Sequence, residues 1–313
     1  MSPVRGSGSA VLLNLREVNQ LPLHLRVIRS ILRRLNFHLT DRSESAAEPF
    51  DPAKLKAAEK ALKDLPVASE GARQYLAKHI PRLARTLALV PPPGDTGRAL
   101  ELGCYMQITP LLNQFCGYHE VRGAYYGPKG RIDHKVMGKF ECDIDHFDAE
   151  RDPFPYPDGH FDLVIAGEII EHMVYDPMHL LIESRRVLRE GGRLLISTPN
   201  AAGLAIVFKV LEGKNSPEIY PHYKMPDHEP EIGHMREYTA DEMGRAMAAA
   251  GFEVERLFTT VIEEYFGDWR AATTAVLEEH GYSTENRGEQ TWCVGVKKSG
   301  LPINRYPSFI YNS

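Results

Sequence analysis

Cysteine is scarce in this chain. Cys104, Cys116, Cys142 and Cys293 are the only four, and they form neither a C-x-x-C pair nor a regular spacing. That pattern gives no disulfide framework and points to free, mostly buried thiols in a reducing compartment, which places the protein in the cytoplasm. Long apolar runs are also missing: none reaches the roughly 18 residues that a membrane span needs. Ala10–Leu15, interrupted by Asn14, is too short for a secretory core segment. A basic surplus is absent too. The net charge is −5, which argues against duplex nucleic acid as a partner. Repeats and low-complexity tracts do not occur.

Hydrophobic residues make up 43% and charged residues 25% of the 313, ordinary values that leave enough apolar material for a full core. The length predicts one catalytic domain with an appended segment. Residues 1–95 read as a helical extension, 96–299 as the catalytic domain and 300–313 as a tail. Charge divides unevenly among them. Arg5, Arg16, Arg26, Arg29, Arg33 and Arg34 face only Glu17 within residues 1–40, so the remainder carries −10. Leu25, Ile28, Leu32 and Leu35 recur at helical spacing between those arginines. Such a helix packs on the catalytic domain, pairs with a second subunit in a homodimer, or lays its basic face on an anionic membrane surface or an anionic substrate. Helices are also expected over about 52–65 and 69–90, before Pro91-Pro-Pro-Gly94 ends the helical region.

From Arg98 the pattern turns to short apolar strands alternating with helices: 98–103, 118–125, 139–144, 161–166 and 193–198. Alternation of this kind predicts an α/β fold, a mostly parallel sheet with helices on both faces. Phe252–Val261 and Gln290–Val296 read as later strands, the last one antiparallel. Ligands in open α/β sheets bind beyond the carboxyl ends of the strands. The segment after the first strand, Glu101-Leu-Gly103-Cys-Tyr105-Met-Gln107, is weak evidence by itself; Gly103 permits a sharp backbone turn beside a ligand.

Two blocks are more specific. Pro153-Phe-Pro-Tyr-Pro-Asp-Gly-His-Phe161-Asp162 runs through Glu168-Ile-Ile-Glu171-His172, and Arg186-Val-Leu-Arg-Glu-Gly191-Gly192 leads to Thr198-Pro199-Asn200. Over roughly 98–297 the chain resembles the class I S-adenosylmethionine (SAM)-dependent methyltransferases. More narrowly, it resembles the bacterial branch found with polysaccharide biosynthesis, and it shares features with ubiquinone-pathway O-methyltransferases. The resemblance implies a Rossmann-like sheet and SAM as cofactor. It places Glu101 and Gly103 beside the methionine part, Asp143 and Ile144, taken to follow the third strand, at the adenine, and Glu168 near the reacting end. Two departures stand out. Tyr105 and Gln107 occupy places where the family's loop has further glycines, and Tyr125 stands where an acid normally grips the ribose hydroxyls.

A third pattern concerns mechanism. Glu168, Glu171 and His172 share one face if a helix begins there. Downstream, Gly233-His234-Met-Arg-Glu237-Tyr238-Thr239 precedes Glu242, and Thr239 with Glu242 reads as a capping box with His234 in the loop before it. Together these resemble the small-RNA 3′-terminal 2′-O-methyltransferases, in which two carboxylates and two histidines hold a divalent cation on a vicinal diol. Carried over, the resemblance makes Glu168, Glu171, His172 and His234 ligands of Mg²⁺ or Mn²⁺. A cation of this kind orients a diol and acidifies the attacking hydroxyl. Without a metal, His172 or His234 is the candidate base, with Glu171 beside it. With a metal bound, His222 and His228, in a Pro-, His- and Tyr-rich segment, are the candidate bases, and Tyr220 and Tyr223 can stack on a sugar ring.

The expectation is therefore O-methylation of a saccharide hydroxyl. RNA ribose, a catechol or quinone precursor, and a non-catalytic scaffold are the alternatives.

Overall fold

A computed structural model describes residues 49–67, 70–214, 233–262 and 267–311. The basic N-terminal segment and Tyr220, His222, Tyr223 and His228 lie outside the described residues.

Two helices come first, α1 (Pro52–Lys63) and α2 (Glu70–Leu89). Asp51 starts α1 by accepting from the amides of Ala53 and Lys54, with Pro52 in the first turn. Then follow β1 (Arg98–Leu102), α3 (Thr109–Gln114), β2 (Glu120–Tyr125), β3 (Ile132–Met137), β4 (Phe140–His146) and β5 (Phe161–Gly167). A single 3₁₀ turn, Ile170–His172, precedes α4 (Pro177–Val187) and β6 (Leu188–Pro199). The chain continues through α5 (Leu204–Leu211), α6 (Ala240–Ala249), β7 (Phe252–Thr260), α7 (Trp269–Glu279) and β8 (Gln290–Lys297).

The strands form one sheet in the order β3-β4-β2-β1-β5-β6-β8-β7. Its centre, β4-β2-β1-β5-β6, is parallel, and β8 runs antiparallel between β6 and β7. This is the expected α/β sheet, with the anticipated antiparallel last strand. Strand β3 was not anticipated. Its pattern of mostly exposed residues, Ile132-Asp-His-Lys-Val-Met137, lacks a buried face, and it pairs with β4 only as an edge hairpin turned at Gly138.

Apolar side chains cover both faces. On one, α1, α2 and α3 bury Leu62, Leu83, Leu87 and Leu112 against Leu163, Leu195 and Trp292. Residues 49–90 thus share a core with the sheet. On the other, α4 and α6 bury Leu180, Leu181, Met243 and Met247 against Leu100, Val164 and Ile196. The tail closes over this second face. Arg305 pairs with Asp176, Tyr311 donates to the same carboxylate at 2.5 Å, and Arg236 donates to the carbonyl of Phe309 at 3.1 Å. No described helix is long and apolar enough to cross a membrane.

Candidate active site at the strand ends

The parallel strands end together at Leu102, Tyr125, His146 and Gly167, and the family-derived positions can be tested against that edge. Glu101, in β1, is buried and accepts from the Thr109 hydroxyl. Burial pushes its carboxyl up to about 7, against the pull of Thr109 and the positive charge of Arg82. Gly103 turns the chain at φ +69°, and a Cβ there would come within 3.0 Å of Ile169.

Tyr105 and Tyr125 do not plug the crevice. Both are exposed, with rings edge-to-face at 5.3 Å and hydroxyls 3.2 Å apart, so they form a rim across the ends of β1 and β2. Asp143 and Ile144 require a correction. Strand β4 continues to His146, so both residues lie inside the strand and not after it. Asp143 is held by Arg122 at 2.6 Å and by His134 at 2.9 Å, and Ile144 is buried. The positions that follow the strand are Phe147 and Asp148.

The end of β5 is equally specific. Glu168 adopts φ +56°, a left-handed conformation uncommon for a side chain larger than glycine. That backbone precludes a helix beginning at Glu168. The chain instead makes one 3₁₀ turn and leaves it extended at Met173. The Glu168 carboxylate accepts from Ser197 at 2.8 Å and Gln290 at 2.7 Å. Glu171 is buried and accepts from Thr198 at 3.0 Å. Burial and the neighbouring Glu168 push Glu171 up to about 8.

His234 is brought over this turn by the backbone: the amides of Met235 and Arg236 donate to the Glu171 carbonyl at 2.7 and 3.2 Å. The capping box of Thr239 with Glu242 starts α6 as the sequence predicts and anchors the loop from the other side. The rings of His172 and His234 meet edge-to-face at 5.0 Å. Nδ1 of His172 lies 3.3 Å from the Gly233 carbonyl, and Nδ1 of His234 lies 2.9 Å from Glu237.

Glu171, His172 and His234 each offer one ligand atom, and the three atoms lie within 4.8 Å of one another. Glu168 stands beside this group and acts on Glu171 electrostatically, with its own carboxylate already held by Ser197 and Gln290. Two carboxyl groups crowded in a buried corner with two imidazoles suit a cation.

Thr198, Gln290 and Glu237 support the site, and sequence reasoning gave them no role. The H-x-x-E spacing of His234 and Glu237 was a usable signal for the last. A cavity of about 480 Å³ also opens beside β2 and β4, lined by Arg122, Lys129, Arg131, Tyr156 and His160 among others. It reaches the strand ends only through His146 and Phe147, contains none of the acid–imidazole group, and is a separate feature.

Comparison with known proteins shows the family. A family model described as a methyltransferase domain matches residues 70–257, from the first residue of α2 into β7. A Mycolicibacterium smegmatis protein named "Probable S-adenosylmethionine-dependent methyltransferase" is 37% identical over 101 residues, 32% of this chain and 32% of that protein. The 27-O-demethylrifamycin SV methyltransferase of Amycolatopsis mediterranei is 43% identical over 80 residues, 24% of this chain and 26% of that enzyme. The similarity therefore spans about a third or less of these relatives. A solved Thermotoga maritima structure, described as a "SAM-dependent methyltransferase, possible histamine N-methyltransferase", aligns with TM-score 0.45 and 18% identity over 78% of this chain and 100% of that one. With the family match covering more than half its length, the chain belongs to the methyltransferase domain family, within the class I SAM-dependent superfamily.

Proposed function

We propose that this protein transfers the methyl group of SAM to a hydroxyl of a saccharide, with a divalent cation held by Glu171, His172 and His234 and backed by Glu168. The observation that carries the reading is the convergence of those three donor atoms within 4.8 Å, next to the end of β5. One carboxylate and two imidazoles leave several positions of a six-coordinate ion open, enough for both oxygens of a vicinal diol. Two imidazoles favour Mn²⁺ over Mg²⁺. When bound, such an ion lowers the pKa of the hydroxyl that attacks.

The chain's own residues supply alignment. Thr198 and the backbone contacts at the Glu171 carbonyl fix the carboxylate and bring His234 to it, Glu237 orients the His234 ring, and Ser197 and Gln290 hold Glu168. Asp148, just past β4, takes the adenine position first expected at Asp143. Oxygen as the acceptor atom is supported by the rifamycin relative, which by its name acts at a 27-O position. The −10 charge of residues 41–313 disfavours RNA, because phosphate contacts dominate nucleic-acid affinity. Four free thiols suit a cytoplasmic enzyme.

The test is labelled SAM offered in parallel with oligosaccharides, oligoribonucleotides and catechols, with EDTA or with added Mn²⁺. Metal-dependent label on a saccharide is the expected result. Full turnover in EDTA would remove the cation from the reaction, and label confined to another acceptor class would overturn the saccharide assignment.

A further inference from the structure

Helix α2 belongs to the region that the sequence assigns to an extension, yet one of its faces looks onto the strand ends. Tyr75, His79 and Arg82 follow one another at helical spacing of four and three residues, which places them in one stripe. Tyr75 packs against His79 with ring centroids 4.3 Å apart and faces Tyr105, beyond β1, at 6.2 Å. Arg82 lies over the ends of β1 and β5. Its Nη1 is 3.9 Å from where a Cβ on Gly167 would stand, and its charge acts on the carboxyl of Glu101.

Arg82 is half-buried, and its guanidinium makes no hydrogen bond or ion pair with any described residue. Its backbone carbonyl accepts from the Thr86 hydroxyl at 3.1 Å. A half-buried cation without a counter-ion is costly, and guanidinium geometry matches a carboxylate with two parallel hydrogen bonds. The acids nearby do not fill that role. Glu101 is engaged by Thr109 and burial favours its neutral form, while Glu168 is engaged by Ser197 and Gln290. The resemblance places the methionine part of SAM beside Glu101 and Gly103, at the end of β1, and that part ends in a carboxylate.

We infer that Arg82 binds the α-carboxylate of the cofactor's methionine portion, so that α2 forms a wall of the cofactor site. The inference rests on SAM use, which family membership supplies, and is independent of the acceptor and of the cation. Gly167, lacking a side chain, leaves the path from Arg82 to the strand ends open.

The experiment is calorimetric titration with two ligands that differ only at this group: S-adenosylhomocysteine and its decarboxylated analogue. Measurable binding of S-adenosylhomocysteine to the unaltered protein tests cofactor use by itself. Arg82→Gln should weaken S-adenosylhomocysteine roughly 10- to 100-fold, the loss of a charge-assisted bidentate contact. The decarboxylated analogue should change by no more than about twofold, within the effect expected where no such contact is lost. Arg82→Lys, which keeps the charge and loses the fork, should recover part of the difference and guards against a variant that merely folds poorly. The inference is overturned if the ratio of the two affinities is the same in the variants as in the unaltered protein, whether both ligands weaken equally or neither does.

Discussion

Glu237 offers the sharpest quantitative test of the acid–imidazole group, because it touches a proposed ligand without being one. Its Oε1 lies 2.9 Å from Nδ1 of His234. A carboxylate can only accept, so the shared proton sits on Nδ1 and the lone pair is left on Nε2, where a metal needs it. The contact sets both the tautomer and the rotation of the ring, and the side chain of Glu237 is only 11% exposed, so little water competes for it. Losing such a supporting partner typically weakens a metal about 10- to 100-fold, or about 1.4–2.7 kcal/mol. Glu237→Gln keeps an acceptor oxygen but not its charge and should fall near tenfold. Glu237→Ala leaves the ring unrestrained from that side and should fall near a hundredfold. Mn²⁺ titration by calorimetry, checked by the paramagnetic resonance of free ion, measures both, and S-adenosylhomocysteine affinity should be unchanged. Mn²⁺ affinities within about twofold of the unaltered protein in both variants would refute the orienting role, and no Mn²⁺ binding by the unaltered protein would refute the site.

Glu101 should make the cofactor-free protein pH-sensitive. Its folded pKa is about 7 against 4.5 unfolded, so its favourable neutral form is fully present below 4.5 and up to about 3 kcal/mol is lost as pH rises through 7. Thermal unfolding of Glu101→Gln should show a flatter profile between pH 4.5 and 7, and an identical slope would contradict the assignment. Arg122→Met should cost about 3–5 kcal/mol in urea unfolding, because Asp145, with its side chain 8% exposed, then keeps Tyr156 but loses its counter-ion. A loss under about 1 kcal/mol would mean that this pair behaves like a surface one. Tyr125→Phe should weaken S-adenosylhomocysteine about fivefold, the worth of one neutral hydrogen bond, if the rim phenols stand in for the missing ribose acid. Unchanged affinity would place the ribose contacts elsewhere. Gly103→Ala should lower S-adenosylhomocysteine and Mn²⁺ affinity together, since the added Cβ presses on Ile169 at the foot of the 3₁₀ turn; loss of one without the other would uncouple the two sites.

The fold was readable wherever one face of an element is buried. Strand β5 is buried along almost its whole length, and its Phe161-Asp-Leu-Val-Ile-Ala run announces it. The Thr239–Glu242 capping box is a local signal with a local cause, and it formed as written. Strand β3 fails that condition: it is an edge strand with charged and exposed residues, held by backbone pairing to β4 and by side-chain contacts such as His146 with Asp133 at 3.2 Å. The same omission misplaced the end of β4. Apolar content falls off after Ile144, but pairing with β2 continues to His146, and burial of Asp145 and His146 is provided by Arg122, Tyr156 and Asp133. An ion pair inside a strand reads as a loop in a hydropathy pattern, and so Asp143 and Ile144, read as following the strand, lie inside it.

The site shows the converse. Residue types were readable from spacing, yet the geometry that unites them was not. A helix from Glu168 and a 3₁₀ turn from Ile170 both bring Glu171 and His172 near each other, but only the latter lets Glu168 turn back toward Ser197 and Gln290. The left-handed backbone at Glu168 has no signature in a residue type that seldom adopts it. It is stabilised from outside, by the Glu168 amide donating to the Ser197 carbonyl at 2.9 Å and by the same side chain that a helix would have turned elsewhere. One six-residue segment, Gly167–His172, thereby serves two ends: its first residue leaves room beside Arg82 for the cofactor, and its last two supply the acid and imidazole that His234 completes. Strain at Glu168 is what permits so short a connection, and any change that relaxes it to a right-handed turn must move the proposed cation ligands away from the cofactor.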